Sequence, residues 1–229
     1  MVDTRPSPAR YRIKPGYLER TSPSYFVDAP TGIIYQPDVY TLAGALASAA
    51  GARYLVDIGC GYADKLMECA RTSGLRPIGV DYRDNLSRCR RAHPDGTWIE
   101  ADLEAVTEPI AGADVLRESL IVCSDVIEHL KDPTSLLRLL RECMCWAPLG
   151  VLSTPERDLT RGREHPGPPP NPAHVREWNA GELTEFLRDS GLTVSFVGLT
   201  RSDDASNAMR TTVVLLGPSV GDVKPRQGA

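Results

Sequence analysis

Residues 54–66 read YLVDIGCGYADKL: a short apolar, β-rich run, a turn through Gly59 and Gly61, then a helical pattern. A strand, a glycine turn and a helix in that order build a nucleotide site at the carboxyl end of a strand in an open α/β sheet. The glycines let the backbone approach a ligand where any Cβ would collide. Asp57, two residues before the first glycine, narrows the ligand. A carboxylate there repels a pyrophosphate and attracts an ammonium group. The turn is suited to a cationic, amino-acid-bearing nucleotide.

Around this turn strand and helix alternate, as in a parallel sheet wound on both faces. A small-residue helix over 38–50 stops at Gly51 and leads into the strand 54–58. Helix 63–72, strand 76–80, helix 84–92 and strand 96–101 follow, and 104–117 read as a short helix and loop. After strand 120–123, Pro133 opens a helix whose buried stripe is Leu136, Leu137, Leu139 and Leu140. Strand 149–153, a helix over 179–190 capped by Asn179, and two β-rich runs at 193–199 and 211–216 complete the pattern. The proline-rich segment 154–177 has no hydrophobic period, and loops of that length are functional or disordered. Five of the eight tyrosines lie between Tyr11 and Tyr40, which suits either a lid over a polar organic substrate or an arm packed on the sheet. The expectation is one domain over 1–229: an arm or lid (1–50, its first ten residues mobile), a core (51–217) with a substrate loop at 155–177, and a frayed tail (218–229).

Polar or acidic residues fall just past successive strands, where ligands bind in such sheets. Asp81, twenty residues beyond Gly61, can accept both ribose hydroxyls; Asp102 can take an adenine amino hydrogen while the Leu103 backbone contacts the ring; Ser124 and Asp125 face the reactive end. In this order VDIGCG, IGVDY, EADLE and CSDVIEHL resemble the motifs of class I S-adenosylmethionine-dependent methyltransferases, strongly over residues 50–155. Ala63 departs from the third glycine that many members carry. The resemblance implies a Rossmann-like, doubly wound α/β fold: a mostly parallel seven-stranded sheet with a C-terminal antiparallel strand. It implies S-adenosylmethionine as cofactor, S-adenosylhomocysteine (SAH) as its product, and Asp57, Gly59, Gly61, Asp81, Tyr82, Asp102, Leu103 and Ser124 as the cofactor-binding set. Two rivals stand beside it, an NAD-dependent oxidoreductase and a non-catalytic S-adenosylmethionine-binding protein. A dinucleotide GxGxxG turn needs glycine where the chain has Asp64, a poor neighbour for a pyrophosphate at a helix N-terminus.

Methyl transfer from a sulfonium mainly needs an aligned acceptor. An amine acceptor needs only to be unprotonated, whereas a hydroxyl benefits from a general base. His129, His165 and His174 cluster between the fourth strand and the end of the long loop, which favours an oxygen acceptor and makes these three the candidate bases. Arg157, Arg161, Arg163 and Arg176 in the same loop can grip a phosphate or carboxylate on the acceptor or be solvated. The segment Asp125-Val-Ile-Glu128-His129 is similar to the metal-ligating segment of some divalent-metal-dependent methyltransferases acting on hydroxyls. It also resembles the ordinary fourth motif of many metal-free members, where Glu and His hydrogen-bond nearby backbone, so no metal is assigned, and Asp125, Glu128 and His129 are the ligands if one binds. The loop and the opening segment loosely resemble a bacterial subgroup of small-molecule and glycan methyltransferases. That implies O-methylation of a sugar or sugar-containing small molecule, with N-methylation of an amino sugar or other amine as the alternative.

Length and composition fit this. The 229 residues are 41% hydrophobic and 24% charged, the balance of an ordinary globular domain. A net charge of −4 gives no global attraction to nucleic acid or an anionic membrane. No run reaches the roughly 18 apolar residues of a membrane span, and the polar start lacks a signal-peptide core. None of the six cysteines forms a CxxC pair, so reduced structural thiols and a cytoplasmic location are expected. The expected partner is a small-molecule substrate, with neither nucleic acid nor membrane, and the chain is left open to pairing as a homodimer.

Overall fold

A computed structural model of the chain describes residues 4–6, 9–25 and 32–219. The short strands β1 (Thr4–Pro6) and β2 (Leu18–Arg20) pair antiparallel. The polar start expected to be mobile thus contains an ordered strand, held because its ladder is closed by β2. The main chain then runs α1 (Pro37–Ala49), β3 (Tyr54–Ile58), α2 (Asp64–Ser73), β4 (Arg76–Asp81), α3 (Arg83–Ala92), β5 (Thr97–Glu100), α4 (Ala113–Arg117) and β6 (Ser119–Ser124). It continues through α5 (Thr134–Met144), β7 (Leu149–Pro155), α6 (Arg157–Arg161), α7 (Ala180–Asp189), β8 (Thr193–Arg201) and β9 (Met209–Gly217).

The seven long strands lie in the order β5-β4-β3-β6-β7-β9-β8. β3 to β7 are parallel; β9 runs antiparallel to both β7 and β8, so β9 alone opposes the rest. From β3 the chain winds outward to β4 and β5, then returns to β6 on the other side of β3. That reversal opens a crevice beyond the carboxyl ends of β3 and β6, where such sheets bind ligands.

Alternation along the strands feeds two cores. Val56 and Ile58 of β3 pack with Leu136 and Leu140 of α5 and Leu183 and Leu187 of α7 on one face. Leu55 of the same strand packs on the other face with Val39 and Ala43 of α1, Leu66 of α2 and Leu86 of α3. The expected leucine stripe of α5 is buried. Asn179 caps α7 in a reciprocal capping box with Glu182, which satisfies two otherwise unpaired helix N–H groups.

The segment 155–177 differs most from expectation. It carries α6, and Arg157, His174, Arg176 and Glu177 within it are buried. The N-terminal arm covers it. Leu18 N donates to Pro166 O at 2.7 Å, Arg20 N to Val175 O at 2.9 Å and Ser24 N to Pro172 O at 2.8 Å. Gly167 is required there: a Cβ would sit 2.1 Å from Leu18 O, at φ +76°. Trp178 is fully buried, donates from its indole to Tyr11 O at 2.8 Å and stacks on Phe186. Among the described residues no helix is long and apolar enough to cross a membrane. All but two residues of the expected frayed tail lie outside the described residues.

Candidate active site

The turn after β3 is fixed from three sides. Gly59 N and Cys60 N donate to Val80 O of β4 at 2.7 and 3.2 Å. Gly61 N donates to Asp81 Oδ2 at 2.7 Å, while Tyr82 N and Asn85 Nδ2 donate to Asp81 Oδ1 at 2.7 and 2.9 Å. Asp81 therefore clamps the turn to the end of β4, a duty the sequence does not announce. A Cβ on Gly59 would lie 2.3 Å from Val126 Cγ2, so the turn closes directly on the loop after β6. Ala63 takes a left-handed φ of 64°, the conformation for which a glycine would be the unstrained choice.

Asp57 is completely buried. Its Oδ2 accepts from the Tyr40 hydroxyl at 2.7 Å, and its Oδ1 has no partner among the described residues. Burial pushes this carboxyl up to about 7; the Tyr40 hydrogen bond and the Lys65 charge pull the other way, and Asp81 adds to the rise. A buried carboxylate oxygen without a donor is costly, and a cationic ligand group would satisfy it. Farther along the rim, Tyr82 meets Tyr25 edge-on with centroids 5.0 Å apart. Asp102 is exposed, with Oδ1 accepting from Glu104 N at 2.9 Å, and Leu103 packs partly buried against the core.

Beyond β6 the acidic character deepens. The Ser124 and Ser153 hydroxyls donate to Asp125 Oδ2 at 3.0 and 2.8 Å, and Oδ1 has no partner among the described residues. Glu128 is fully buried; Oε2 accepts from Thr154 Oγ1 at 2.9 Å, and Oε1 has no partner among the described residues. Burial, with the Asp125 charge, holds the Glu128 carboxyl well above the usual range. The His129 and His174 rings meet edge-on with centroids 4.7 Å apart. His129 Nδ1 donates to Ala173 O at 3.1 Å, and His174 Nδ1 donates to Glu177 Oε1 at 2.7 Å. Burial, then the neighbouring His174, holds His129 down to about 4, so at neutral pH it is an uncharged imidazole. Burial works against ionisation of Glu177, but hydrogen bonds from His174 and Arg161 bring its carboxyl below the ordinary range.

A methyltransferase-domain family model matches residues 36–195 of the 229. A probable S-adenosylmethionine-dependent methyltransferase of Mycobacterium tuberculosis strain H37Rv is 34% identical over 159 residues, covering 67% of this chain and 54% of that protein. The chain belongs to the S-adenosylmethionine-dependent methyltransferases. A ubiquinone biosynthesis O-methyltransferase of Bordetella parapertussis is 29% identical over 92 residues, covering 40% of this chain and 37% of that one. The magnesium protoporphyrin IX methyltransferase of Synechocystis PCC 6803, solved with bound SAH, shares the fold at a TM-score of 0.55 and 16% identity, over 80% of this chain and 83% of that one. The methyltransferase spans about half the length of the mycobacterial relative.

Two of the three candidate histidines, His129 and His174, come into ring contact in this methyltransferase. His165 Nδ1 accepts from Gly167 N at 3.1 Å, so its proton sits on Nε2, the opposite tautomer to His129 and His174. The arginines correct an expectation. Arg157 and Arg176 have side chains 1% exposed and cannot grip an acceptor. Arg157 pairs with Glu182 and Asp158 under the Tyr17 ring. Arg176 pairs with Glu19 at 3.0 Å and donates to the Leu130 and Lys131 carbonyls at 2.9 and 2.7 Å. Arg161 bonds both oxygens of Glu177 at 3.1 and 3.2 Å, which leaves Arg163 exposed. Tyr11 and Tyr17 are core residues rather than parts of a lid, whereas Tyr25 and Tyr35 are exposed. Tyr40, expected only as part of the tyrosine-rich arm, instead donates to Asp57 seventeen residues further on, a partnership the motifs do not reveal.

Proposed function

We propose that this methyltransferase moves the methyl group of S-adenosylmethionine to a hydroxyl of a small molecule, a sugar or sugar-containing compound. The observation that carries the proposal is the His129–His174 pair, held at the end of β6 beside the crevice that starts at Asp57. The named O-methyltransferase among the relatives supports an oxygen acceptor.

The bound cofactor supplies an activated methyl carbon and a neutral thioether as leaving group. The chain's own residues do the rest. Asp57 Oδ1 receives the cationic end of the cofactor, and Gly59 and Gly61 let the backbone approach it. Asp81 and Tyr82 lie at the ribose, Asp102 and Leu103 at the adenine, and Ser124 near the reactive end. An acceptor hydroxyl is too weak an acid to attack unaided, and the paired imidazoles of His129 and His174, the first uncharged at neutral pH, are the bases that activate it, with His165 the third candidate. In-line alignment within about 3 Å of the methyl carbon supplies much of the acceleration. A cytoplasmic setting belongs to this reading, since all six cysteines are free thiols and five are buried.

The test supplies methyl-13C cofactor and protein to extract from the source cell and identifies the labelled product by NMR. A methyl carbon bonded to oxygen supports the proposal. A methyl carbon on nitrogen overturns it in favour of amine methylation.

A further inference from the structure

We infer that Glu128, His129 and His174 form a binding site for one divalent transition-metal ion at the acceptor end of the crevice. One ligand atom from each of the three residues lies within 4.8 Å of the others. An ion bonded at about 2.0–2.2 Å to each ligand draws them somewhat closer, so binding tightens the segment that carries His174 against the loop that carries Glu128.

The orientation of the imidazoles is already that of ligands. His129 Nδ1 is committed to the Ala173 carbonyl and His174 Nδ1 to the Glu177 carboxylate. A second hydrogen bond of this kind, from the ring nitrogen that does not bind the metal, fixes tautomer and ring direction in most histidine metal sites. It makes Nε2 the coordinating nitrogen in both rings. Glu177 is itself held by Arg161, so the support extends one layer further.

The independent observation is Glu128 Oε1. Its residue is fully buried and the oxygen has no partner among the described residues. A buried carboxylate oxygen beside two imidazoles oriented as acceptors lacks a donor, and a bound cation would supply the missing positive charge. Asp125 Oδ1, also without a partner among the described residues, is a further oxygen from the same loop. The backbone builds the site too: Val175 N donates to Glu128 O at 2.7 Å, and Arg20 Nε donates to His174 O at 3.2 Å.

Two imidazoles and a carboxylate select among the possible ions. Magnesium and calcium prefer all-oxygen shells, whereas imidazole suits zinc, copper, iron or nickel. The inference rests on the hydroxyl reading above and turns the two imidazoles from bases into ligands: an ion with an open position can hold the acceptor oxygen and lower its pKa. The O–H bond then breaks with its proton passing to solvent water. The oxygen forms the new bond to the methyl carbon, and the C–S pair leaves with sulfur.

The test uses the full chain, stripped with a chelator and titrated with Co2+ while visible absorbance is followed. One equivalent producing ligand-field bands that Zn2+ abolishes supports the inference. Glu128→Gln and His174→Gln should each weaken binding by about 100-fold or more, whereas His93→Ala, on the far side of β4, should leave it unchanged. Absence of these bands in the wild-type chain overturns the site whatever the variants' stability, as does unchanged binding in both ligand variants. The two readings fail separately. Co2+ bound with the label found on nitrogen keeps the site and removes the hydroxyl acceptor. Label on oxygen at full rate in a chain that binds no Co2+ keeps the acceptor and removes the site.

Discussion

The Tyr40 hydroxyl donates to Asp57 Oδ2 at 2.7 Å, while the other oxygen of that buried carboxylate has no partner among the described residues. The pair is half of a site whose second half is a cationic ligand. With its carboxyl pushed up from 3.8 to about 7 by burial, Asp57 is protonated in the ligand-free protein below that pH. A cation pulls the value down, so cofactor binding releases a proton there. Affinity for S-adenosylmethionine should rise roughly tenfold per pH unit up to about 7 and then level off. Calorimetry in two buffers of different ionisation enthalpy measures the released proton. Tyr40→Phe removes a bond to the ionised form and should move the break to higher pH. The same shift has a stability consequence of opposite sense: the folded group holds its proton longer than the unfolded one, so the ligand-free protein loses stability as pH rises from 3.8 towards about 7.

Gly59→Ala should destabilise the protein and weaken the cofactor together. Its Cβ would stand 2.3 Å from Val126 Cγ2 at φ +84°, so both the backbone and the loop after β6 must move. A cost of about 1–3 kcal/mol is expected from strain of this kind, read by urea denaturation. Gly51→Ala also sits at positive φ, but nothing lies within 4 Å of its Cβ. It should cost less and leave cofactor affinity unchanged.

Arg176→Ala should cost about 3–5 kcal/mol, because it leaves Glu19 and two carbonyls facing a buried gap. Arg176→Met, which loses the guanidinium stacked on the Tyr11 ring but keeps much of the apolar stem, should cost less. Denaturant titration of the two variants checks the order. Equal losses would mean the charge pairing, rather than the packing, dominates.

The contrast between β3 and the segment around Arg176 shows what the sequence could and could not express. β3 and its turn were legible because apolar alternation and glycine spacing are local properties of 54–66. The final helix was legible from Asn179 and its cap. Residues 155–177 were not: each buried residue there has its own environment, so no period exists to be read. Arg176 finds Glu19 across 157 positions, and His174 meets His129 through bonds between segments 44 or more residues apart, His129 Nδ1 to Ala173 O and Val175 N to Glu128 O. Clustering along the chain pointed to both histidines, but it could not tell them from His165, whose tautomer is set by a backbone N–H two residues on.

The central claim is that the β3 turn, with Asp57 and Asp81 on either side, is the seat of S-adenosylmethionine. Isothermal titration of wild-type protein and Asp81→Ala with S-adenosylmethionine, and of wild-type protein with NAD, tests it most directly. One cofactor molecule should bind per chain, NAD should not bind, and affinity should be about 10- to 100-fold weaker in Asp81→Ala, the worth of charged hydrogen bonds lost. Unchanged affinity in Asp81→Ala, or binding of NAD in place of S-adenosylmethionine, would contradict it.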